Sequence, residues 1–591
     1  MRGSRLAAVL VTLVVVATAV PVPAAAASTP APAPASAPAA VPDRVAERVA
    51  DRPRAQIFAD DDDDDSPPPD PETDVVGWEA GYWYNESIDV DQSDGLSDAE
   101  LDAYVGRAMA RVEHLREREF LEPVAVEVIS RDAYRARTNN STSDGNASFD
   151  RWNDQVWEAL FIVGESTDSG EALSDTFGSS VAGFYSPVDD EIKIVTDSPD
   201  SPVVDNATLH HELVHALQDQ YVDLTNETYV GATQDGDLAV DGVVEGEANY
   251  IETLYASRCA SGEWACVATP TTGGGSSGPG PNLGVLITIL QPYSDGPVYV
   301  RDLVEAGGWT AFEAAFAHPP NSTEQVIHLT DEQPPPIEFE DRGRNGWTTF
   351  PDQGVNGSDT VGEASIYAMF WYQNRQYRAD TVDPQAFFET DSRFDIYDYD
   401  AEPSAGWGND RLFPYRNGEG EDAEYGYVWV TEWDTEADAR EFQRAHRAVL
   451  EAQDATEVVA GDSPGDGFAT GVYRVDDGPF ADAFRVTRNG TRVTVVNAPT
   501  VADLEDVREA PEPPPSPTPT VAFTPTATPD GADEPDETPT PTPTPAPTAT
   551  PTPTDTDDDS TPAAVTTDGL GPVLGLVALL AAALLVARRR S

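Results

Sequence analysis

No hydrophobic core can form across residues 511–567, because this part of the chain is a run of proline and threonine that includes TPTPTPAPTATPTPT. Proline fixes φ and has no N–H to donate, so such a run can join neither a helix nor the interior of a sheet. We predict an extended, O-glycosylated stalk over residues 506–568. Residues 28–74 are rich in Ala, Pro and Asp and are predicted to be a solvated linker. A packed body is therefore confined to residues 75–505.

Both ends of the chain carry sorting signals. The N-terminus has the charged start MRGSR, an apolar stretch over residues 6–20 and an A-x-A site, which predicts a signal peptide over residues 1–27. Residues 570–587 form a second apolar run that three arginines follow. This run is close to the length of a bilayer span, and the arginines place its end in the cytoplasm. We therefore predict that residues 569–591 anchor the protein and that its body is secreted to the outer cell surface.

The stalk, the short apolar run and the terminal arginines together resemble the archaeal sorting tails that are cleaved and replaced by a lipid. Those tails begin with Pro-Gly-Phe, whereas this chain has Asp568-Gly569-Leu570 at the matching place. A lipid-replaced sorting tail and a retained transmembrane anchor are therefore both open.

The charge of the chain excludes one broad class of function. There are 105 Asp and Glu residues against 35 Lys and Arg, a net charge of −70, and Lys193 is the single lysine. A nucleic-acid binder needs a basic face for the phosphates, so we predict no nucleic-acid partner. At molar salt the Debye length is about 3 Å, so such an acidic surface suits a halophile protein. The 11 Trp, 20 Tyr and 20 Phe residues indicate a folded core rather than a disordered chain.

Two further features agree with an extracellular address. Cys259 and Cys266 are the two cysteines of the chain, and we expect a local disulfide between them. The chain also has several glycosylation sequons of the type N-x-S/T. They include those that begin at Asn85, Asn140, Asn146, Asn206, Asn226, Asn321, Asn356 and Asn489.

The body mixes strand and helix patterns without a regular βαβ repeat, which predicts an α+β fold. Helices are expected at about residues 97–118, 206–221 and 238–257, and strands at PVAVEVIS and DEIKIVT. Further patterns, among them DTEADAREFQRAHRAVLEAQ and TRVTVVNA, follow between residues 355 and 500.

The motif that carries chemistry is His211-Glu212-x-x-His215, an HExxH pattern. Positions i and i+4 share one face of a helix, so both imidazoles can bind one Zn²⁺. Glu212 projects about 100° away from His211, where it can act as a general base towards water and pass the proton to a leaving amine. Asp205 or Asn206 can cap this helix. The alternative is a helix with two surface histidines.

A catalytic zinc site needs a third protein ligand. The segment VVEGEA on the next predicted helix resembles the Glu-Gly-x-Ala arrangement of the gluzincin metallopeptidases, and Glu245 matches their third ligand. Glu247 is the competitor, but it projects about 200° away from Glu245, so only one of them can face the ion. Gly246 would let this helix approach the metal helix closely. Asp219 and Asn249 are candidate hydrogen-bond partners of the ligands, with an ordinary solvated helix end as the alternative.

The flanking sequence resembles a family of predicted secreted zinc metallopeptidases with the pattern HExxHALQDQ and a downstream EGDA. HELVHALQDQY and VVEGEA carry this likeness, with EGEA in place of EGDA, and it covers about residues 75–495. The resemblance implies a zincin-like catalytic domain over residues 75–350. An additional C-terminal α+β portion of the same body would follow over residues 351–505. Haloarchaeal surface proteins with a stalk and a sorting tail look like a branch of this group.

A hydrolytic zinc site also needs a hydrogen-bond donor for the developing oxyanion. Tyr293 and His328 are candidates, because both lie in resembling segments downstream of Glu245. Each could instead have a purely structural role. His210 points off the metal face and is expected to pack or to support the ligands.

We therefore expect a cell-surface zinc metallopeptidase that hydrolyses a protein or peptide substrate. Zn²⁺ would be held by His211, His215 and Glu245, with Glu212 as the general base. One alternative is a non-catalytic surface glycoprotein that uses a zincin-like fold as a structural or binding module. Another is a zinc amidase that acts on a surface glycan or a cell-wall peptide. The sequence indicates no particular oligomeric state.

Overall fold

The fold is seen in a computed structural model that describes residues 68–142, 146–177, 181–269, 281–459 and 468–511. The predicted signal peptide, most of the linker, the stalk beyond residue 511 and the C-terminal tail lie outside these residues. None of the helices in the described part of the chain has both the length and the apolar character that crossing a bilayer requires.

The described residues combine helices and strands, which confirms the predicted α+β class. Within the described ranges, the α-helices are α1 (Asp98–Arg116), α2 (Arg131–Thr142), α3 (Ala147–Ala159), α4 (Ser169–Phe177), α5 (Asn206–Val222), α6 (Gln234–Ser261), α7 (Leu283–Gly307), α8 (Trp309–Ala317), α9 (Thr323–Ile327), α10 (Gly362–Tyr377), α11 (Glu436–Ala452) and α12 (Leu504–Val507). The strands of the same ranges are β1 (Trp78–Glu79), β2 (Tyr82–Trp83), β3 (Ala125–Ser130), β4 (Gly183–Ser186), β5 (Glu191–Thr196), β6 (Trp347–Thr349), β7 (Trp407–Asn417), β8 (Glu424–Trp433), β9 (Thr456–Val459), β10 (Phe468–Arg474), β11 (Ala483–Asn489) and β12 (Arg492–Ala498).

Three predicted helices lie close to their expected bounds, and their ends have clear causes. Ser97 caps α1 as part of a capping box. Asp205, rather than Asn206, caps α5, because its carboxylate accepts two backbone N–H groups of the first turn. Helix α6 begins four residues earlier than expected, since Thr233 caps it there, and it ends at Gly262, which adopts a left-handed conformation.

A three-stranded sheet supports α5. Strands β3 and β5 are parallel and β4 is antiparallel to β5, so the order is β3-β5-β4 and β4 is an edge strand. Leu209, Leu213 and Leu217 of α5 share one hydrophobic core with Ile192 and Ile194 of β5. Burial of this apolar stripe fixes the face that α5 turns towards the sheet.

Lys193 lies on the opposite face of β5 and is enclosed by acidic groups. Its side chain is 2% exposed, and its ammonium nitrogen lies 2.9 Å from the carboxylate of Glu127 and 3.6 Å from that of Asp189. Glu191 also pairs with it. These partners offset the desolvation of the single ammonium side chain.

Helices α6 and α7 meet at a close backbone contact. A Cβ atom on Gly246 would lie 2.6 Å from the carbonyl carbon of Gly296, and one on Gly296 would lie 2.5 Å from the carbonyl oxygen of Gly242. The close approach that Gly246 was expected to make to the metal helix is therefore made to α7. Because Gly246 follows Glu245, this contact fixes where α6 holds that carboxylate.

The C-terminal part forms a seven-stranded antiparallel sheet in the order β6-β7-β8-β12-β11-β10-β9. Alternate residues of β8 face opposite sides of it. Tyr427 and Trp429 belong to a large core that also contains side chains of α3, α7, α10 and α11. Val428 and Val430 belong to a smaller core on the other face. The large core thus contains side chains from both predicted portions of the body, residues 75–350 and residues 351–505.

The predicted disulfide between Cys259 and Cys266 is confirmed. It ties the end of α6 to the segment that contains Trp264. The indole of Trp264 lies beneath the guanidinium groups of Arg111 and Arg258, each 4.7 Å from its ring centroid. The disulfide therefore holds a buried aromatic residue against α1 and α6.

Candidate metal centre

Helices α5 and α6 bring the three expected metal ligands together in the interior. His211 and His215 lie one turn apart on α5, with 4.8 Å between their ring centroids. The Oε2 atom of Glu245 lies 3.1 Å from Nε2 of His211 and 3.4 Å from Nε2 of His215. All three side chains are buried. Their ligand atoms therefore converge on one point between the two helices.

These separations fit a zinc ion. Two ligands that lie about 2.0–2.1 Å from Zn²⁺ at the tetrahedral angle are about 3.4 Å apart. The Nε2 atom of His215 is buried and has no hydrogen-bond partner among the described residues, which is costly unless a ligand satisfies it. Two imidazoles and a carboxylate also form a donor set of catalytic zinc sites. The residues present therefore fit Zn²⁺ with one position left open.

The charges of the triad are strongly coupled. Burial alone would raise the pKa of Glu245, but the adjacent His215 and His211 lower it to about 2. Burial alone would lower the pKa of His211, but its contacts with Glu245 and Glu252 raise it to about 10. An ionised carboxylate thus faces a protonated imidazole. Since metals bind neutral imidazole, a cation would displace that proton.

Glu212 lies beside the triad and is positioned by the edge strand β4. Its Oε2 atom accepts a hydrogen bond from the backbone N–H of Tyr185, with an N–O distance of 2.7 Å. Its Oε1 atom is buried without a partner among the described residues. Burial raises the pKa of Glu212 to about 8, against the opposing charge of His211. A carboxyl group with a pKa near neutrality suits proton transfer in both directions.

A chain of hydrogen bonds behind His215 fixes its ring. The Nδ1 atom of His215 lies 2.8 Å from Oε1 of Gln218. The amide nitrogen of Gln218 donates to the carbonyl oxygen of Val244 at 2.9 Å and to Glu247 at 2.8 Å. Glu247 in turn pairs with Arg116 of α1. Glu247 therefore points away from the triad, and its role is to orient the amide that holds His215.

His211 has a different partner, the carboxylate of Glu252, at 3.4 Å from its Nδ1 atom. The two residues expected as supports of the ligands have other contacts. Asp219 accepts hydrogen bonds from the Tyr185 hydroxyl and from a backbone N–H after α5. Asn249 donates to the backbone carbonyl of Glu245 at 3.3 Å. The expected role of Asp219 is therefore wrong, whereas Asn249 does bond to a ligand residue, but to its backbone and not to its carboxylate.

Sequence reasoning missed Gln218 and Glu252, although helical spacing offered a signal for both. Gln218 follows His215 by three residues, and Glu252 follows Glu245 by seven, so each lies on the ligand face of its helix.

Tyr293 of α7 lies next to the triad. Its ring is nearly parallel to that of His211, with 6.3 Å between the centroids. Its hydroxyl is buried without a hydrogen-bond partner among the described residues. Burial raises the pKa of Tyr293 well above its usual range, and the charge of Glu245 adds to this effect. The hydroxyl therefore keeps its proton, and the carboxylate of Glu245 lies close enough to interact with it.

His328 and His210 make their contacts elsewhere. The Nε2 atom of His328 lies 2.9 Å from the carboxylate of Glu363 on α10, and no contact with the triad is found for it among the described residues. His210 bonds to the carbonyl oxygen of Asn206 and stacks on Tyr255. The structure thus brings Tyr293, but not His328, to the metal ligands, and it places His210 in packing.

Comparison with known proteins bears on the C-terminal sheet alone. A family model described as a domain of unknown function (DUF8575) matches residues 349–508. This segment contains most of the seven-stranded sheet and none of the three converging ligands. No curated protein and no solved structure matches the chain.

Proposed function

We propose that this protein is a cell-surface zinc metallopeptidase with a zincin-like catalytic unit. The observation that carries the proposal is the convergence of His211, His215 and Glu245 beside a buried Glu212 oxygen that has no partner in the described part of the chain. The sequence likeness to secreted zinc metallopeptidases supports it. The predicted signal peptide and tail would place the catalytic unit on the outer surface of a halophilic cell, anchored by a span or a lipid.

The side chains of the site have complementary roles in peptide hydrolysis. Zn²⁺, when bound, supplies a Lewis acid that polarises a peptide carbonyl and lowers the pKa of water to about 7. Glu212 accepts the proton of the attacking water at Oε1 and returns it to the leaving amine. Tyr293 donates its hydroxyl proton in a hydrogen bond to the carbonyl oxygen as negative charge develops there.

The substitution Glu212→Gln separates catalysis from metal binding. It removes the proton acceptor but retains the shape and the acceptor oxygen for the Tyr185 N–H. We expect bound zinc to stay at one equivalent, while hydrolysis of a peptide library in high salt falls by about 10²- to 10⁴-fold. The matched control is Glu227→Gln, an exposed position shortly after α5, which should cleave like the parent protein.

Two results would contradict the proposal. One is a parent protein that holds zinc yet cleaves no peptide in the library, which would favour the non-catalytic surface glycoprotein. The other is a Glu212→Gln variant that cleaves as fast as the parent protein, which would remove Glu212 from the mechanism.

A further inference from the structure

A second cluster of acidic side chains joins α3 to the seven-stranded sheet. Glu158 lies near the end of α3, Glu165 lies in the following loop, and Asp482 directly precedes β11. One carboxylate oxygen from each lies within 4.8 Å of those of the other two. Glu158 is 3% and Asp482 is 2% exposed. Among the described residues, no arginine, lysine or histidine forms an ion pair with these three carboxylates.

Three residues next to this cluster have buried polar atoms that lack a partner within the described ranges. They are Oε1 of Gln155, the hydroxyl of Tyr427 and Oδ1 of Asn497. The amide nitrogen of Gln155 donates to Glu158 at 2.6 Å, and that of Asn497 donates to Asp482 at 2.8 Å. Tyr427 is completely buried. Its pKa is raised by burial and by the nearby charges of Glu158 and Asp482.

The two amides do not neutralise the carboxylates. Burial raises the pKa of Glu158 well above its usual range, and repulsion from Asp482 and Glu165 adds to this effect. Burial and the charge of Glu165 raise the pKa of Asp482 to about 8. Without a cation, these buried carboxyl groups avoid mutual repulsion only by holding protons, and Glu158 and Asp482 then hydrogen-bond to each other. A bound cation would replace those protons and neutralise the ionised groups.

We propose that Glu158, Glu165 and Asp482 bind a Ca²⁺ ion. Ca²⁺ takes about six to eight oxygen ligands at about 2.3–2.6 Å, so two of its ligands are at most about 5 Å apart, as these carboxylates are. Half a turn of the Asn497 or Gln155 side-chain amide exchanges its nitrogen and oxygen and presents a carbonyl oxygen to the same ion. Mg²⁺ is a poorer occupant, because it needs near-ideal octahedral geometry and keeps its waters.

The ion would fasten two distant parts of the chain to each other. The backbone N–H of Glu165 already donates to the carbonyl oxygen of Pro479 at 3.0 Å, in the loop between β10 and β11. The ring of Phe161 lies 5.0 Å from that of Phe480 and 5.5 Å from that of Phe484. Ca²⁺ at this junction stabilises the folded body and takes no part in the chemistry at His211 and His215.

The test measures the thermal midpoint of the full chain in high salt. All metals are first removed, one equivalent of Zn²⁺ is restored, and Ca²⁺ or Mg²⁺ is then added. We expect Ca²⁺ to raise the midpoint, and Mg²⁺ to raise it less. The rise should be absent in the double variant Glu158→Gln/Asp482→Asn. It should persist in the matched control Glu324→Gln/Asp434→Asn, which changes one buried and one exposed carboxylate of another acidic cluster.

A milder variant covers the case in which the double variant does not fold. Glu165 is exposed, so Glu165→Gln should fold and bind Ca²⁺ about tenfold more weakly, since affinity depends on ligand charge. Terbium luminescence sensitised by Tyr427 gives an independent measure of occupancy. The proposal would be overturned if Ca²⁺ did not change the thermal midpoint of the parent protein. A Glu165→Gln variant with parental affinity, or a response that survives in the double variant, would also overturn it.

Discussion

Gln218→Ala should weaken zinc binding without touching a ligand. In the native fold the Gln218 side chain accepts from His215 and donates to Val244 and Glu247. Truncation leaves the Nδ1 proton of His215 unpartnered and frees the imidazole to rotate. Partners of this kind in metal sites contribute about 10- to 100-fold in affinity. We therefore expect the zinc dissociation constant to rise by that factor, or by about 1.4–2.8 kcal/mol.

The effect of this substitution on folding stability is expected to be smaller than the sum of three lost hydrogen bonds. A cavity of about 170 Å³, lined by Gln218, Glu247 and Arg116, opens beside these groups. Water from it can reach Glu247. We expect a loss of about 1–3 kcal/mol, which is the cost of one buried polar group without a partner.

The assay is competition with a chromophoric chelator at constant pH in high salt. The matched control is Gln220→Ala, two residues along the same helix, whose amide bonds to the backbone near Leu121 and Glu122 instead. Gln220→Ala should bind zinc like the parent protein. If Gln218→Ala bound zinc within about threefold of the parent value, the argument that this hydrogen-bond chain fixes His215 would be wrong.

Three further substitutions test other parts of the structure. Tyr293→Phe should lower kcat by about 10²- to 10³-fold with little change in KM or zinc content, and a parental kcat would limit Tyr293 to packing. His446 is buried, both its ring nitrogens lack partners among the described residues, and burial lowers its pKa from 6.5 to about 4. As the pH falls from 6.5 to 4, His446 therefore gains a proton in the unfolded chain before it gains one in the folded protein. This difference lowers the free energy of unfolding by up to about 3 kcal/mol. His446→Leu should remove that part of the acid-induced loss in urea unfolding, and parallel pH profiles of variant and parent would contradict this expectation. Replacing Cys259 and Cys266 by Ser should lower the free energy of unfolding by about 2–3 kcal/mol, because the unfolded chain gains conformational entropy. An unchanged thermal midpoint would contradict this expectation.

Local spacing was sufficient to predict the elements that carry the triad. The interval between His211 and His215 matches a helical turn, and Asp205 is a residue type that caps helices. Both properties depend on neighbours in the sequence. The strand before the site could also be recognised, because Ile192 and Ile194 alternate with polar residues along β5.

The supports of the ligands could not be predicted in this way, because they depend on partners far along the chain. Asp219 has the right helical spacing to reach His215, but its carboxylate accepts a hydrogen bond from the Tyr185 hydroxyl on β4 instead. Glu247 is oriented by Arg116, which precedes it by 131 residues. The meeting of Glu158 with Asp482 follows in the same way from how α3 packs on the sheet, which no local pattern shows.

The burial of Lys193, the single lysine, leaves the surface of the folded protein without a lysine amine that can react. Because the single lysine is enclosed beneath Glu127, Asp189 and Glu191, reagents that acylate primary amines should modify the amino terminus and leave the folded body untouched. Lysine-directed cross-linking would return almost no distance restraints, so carboxyl-directed reagents are the ones to choose. A single lysine introduced on the surface would, conversely, be a uniquely addressable attachment point for a fluorophore or a solid support.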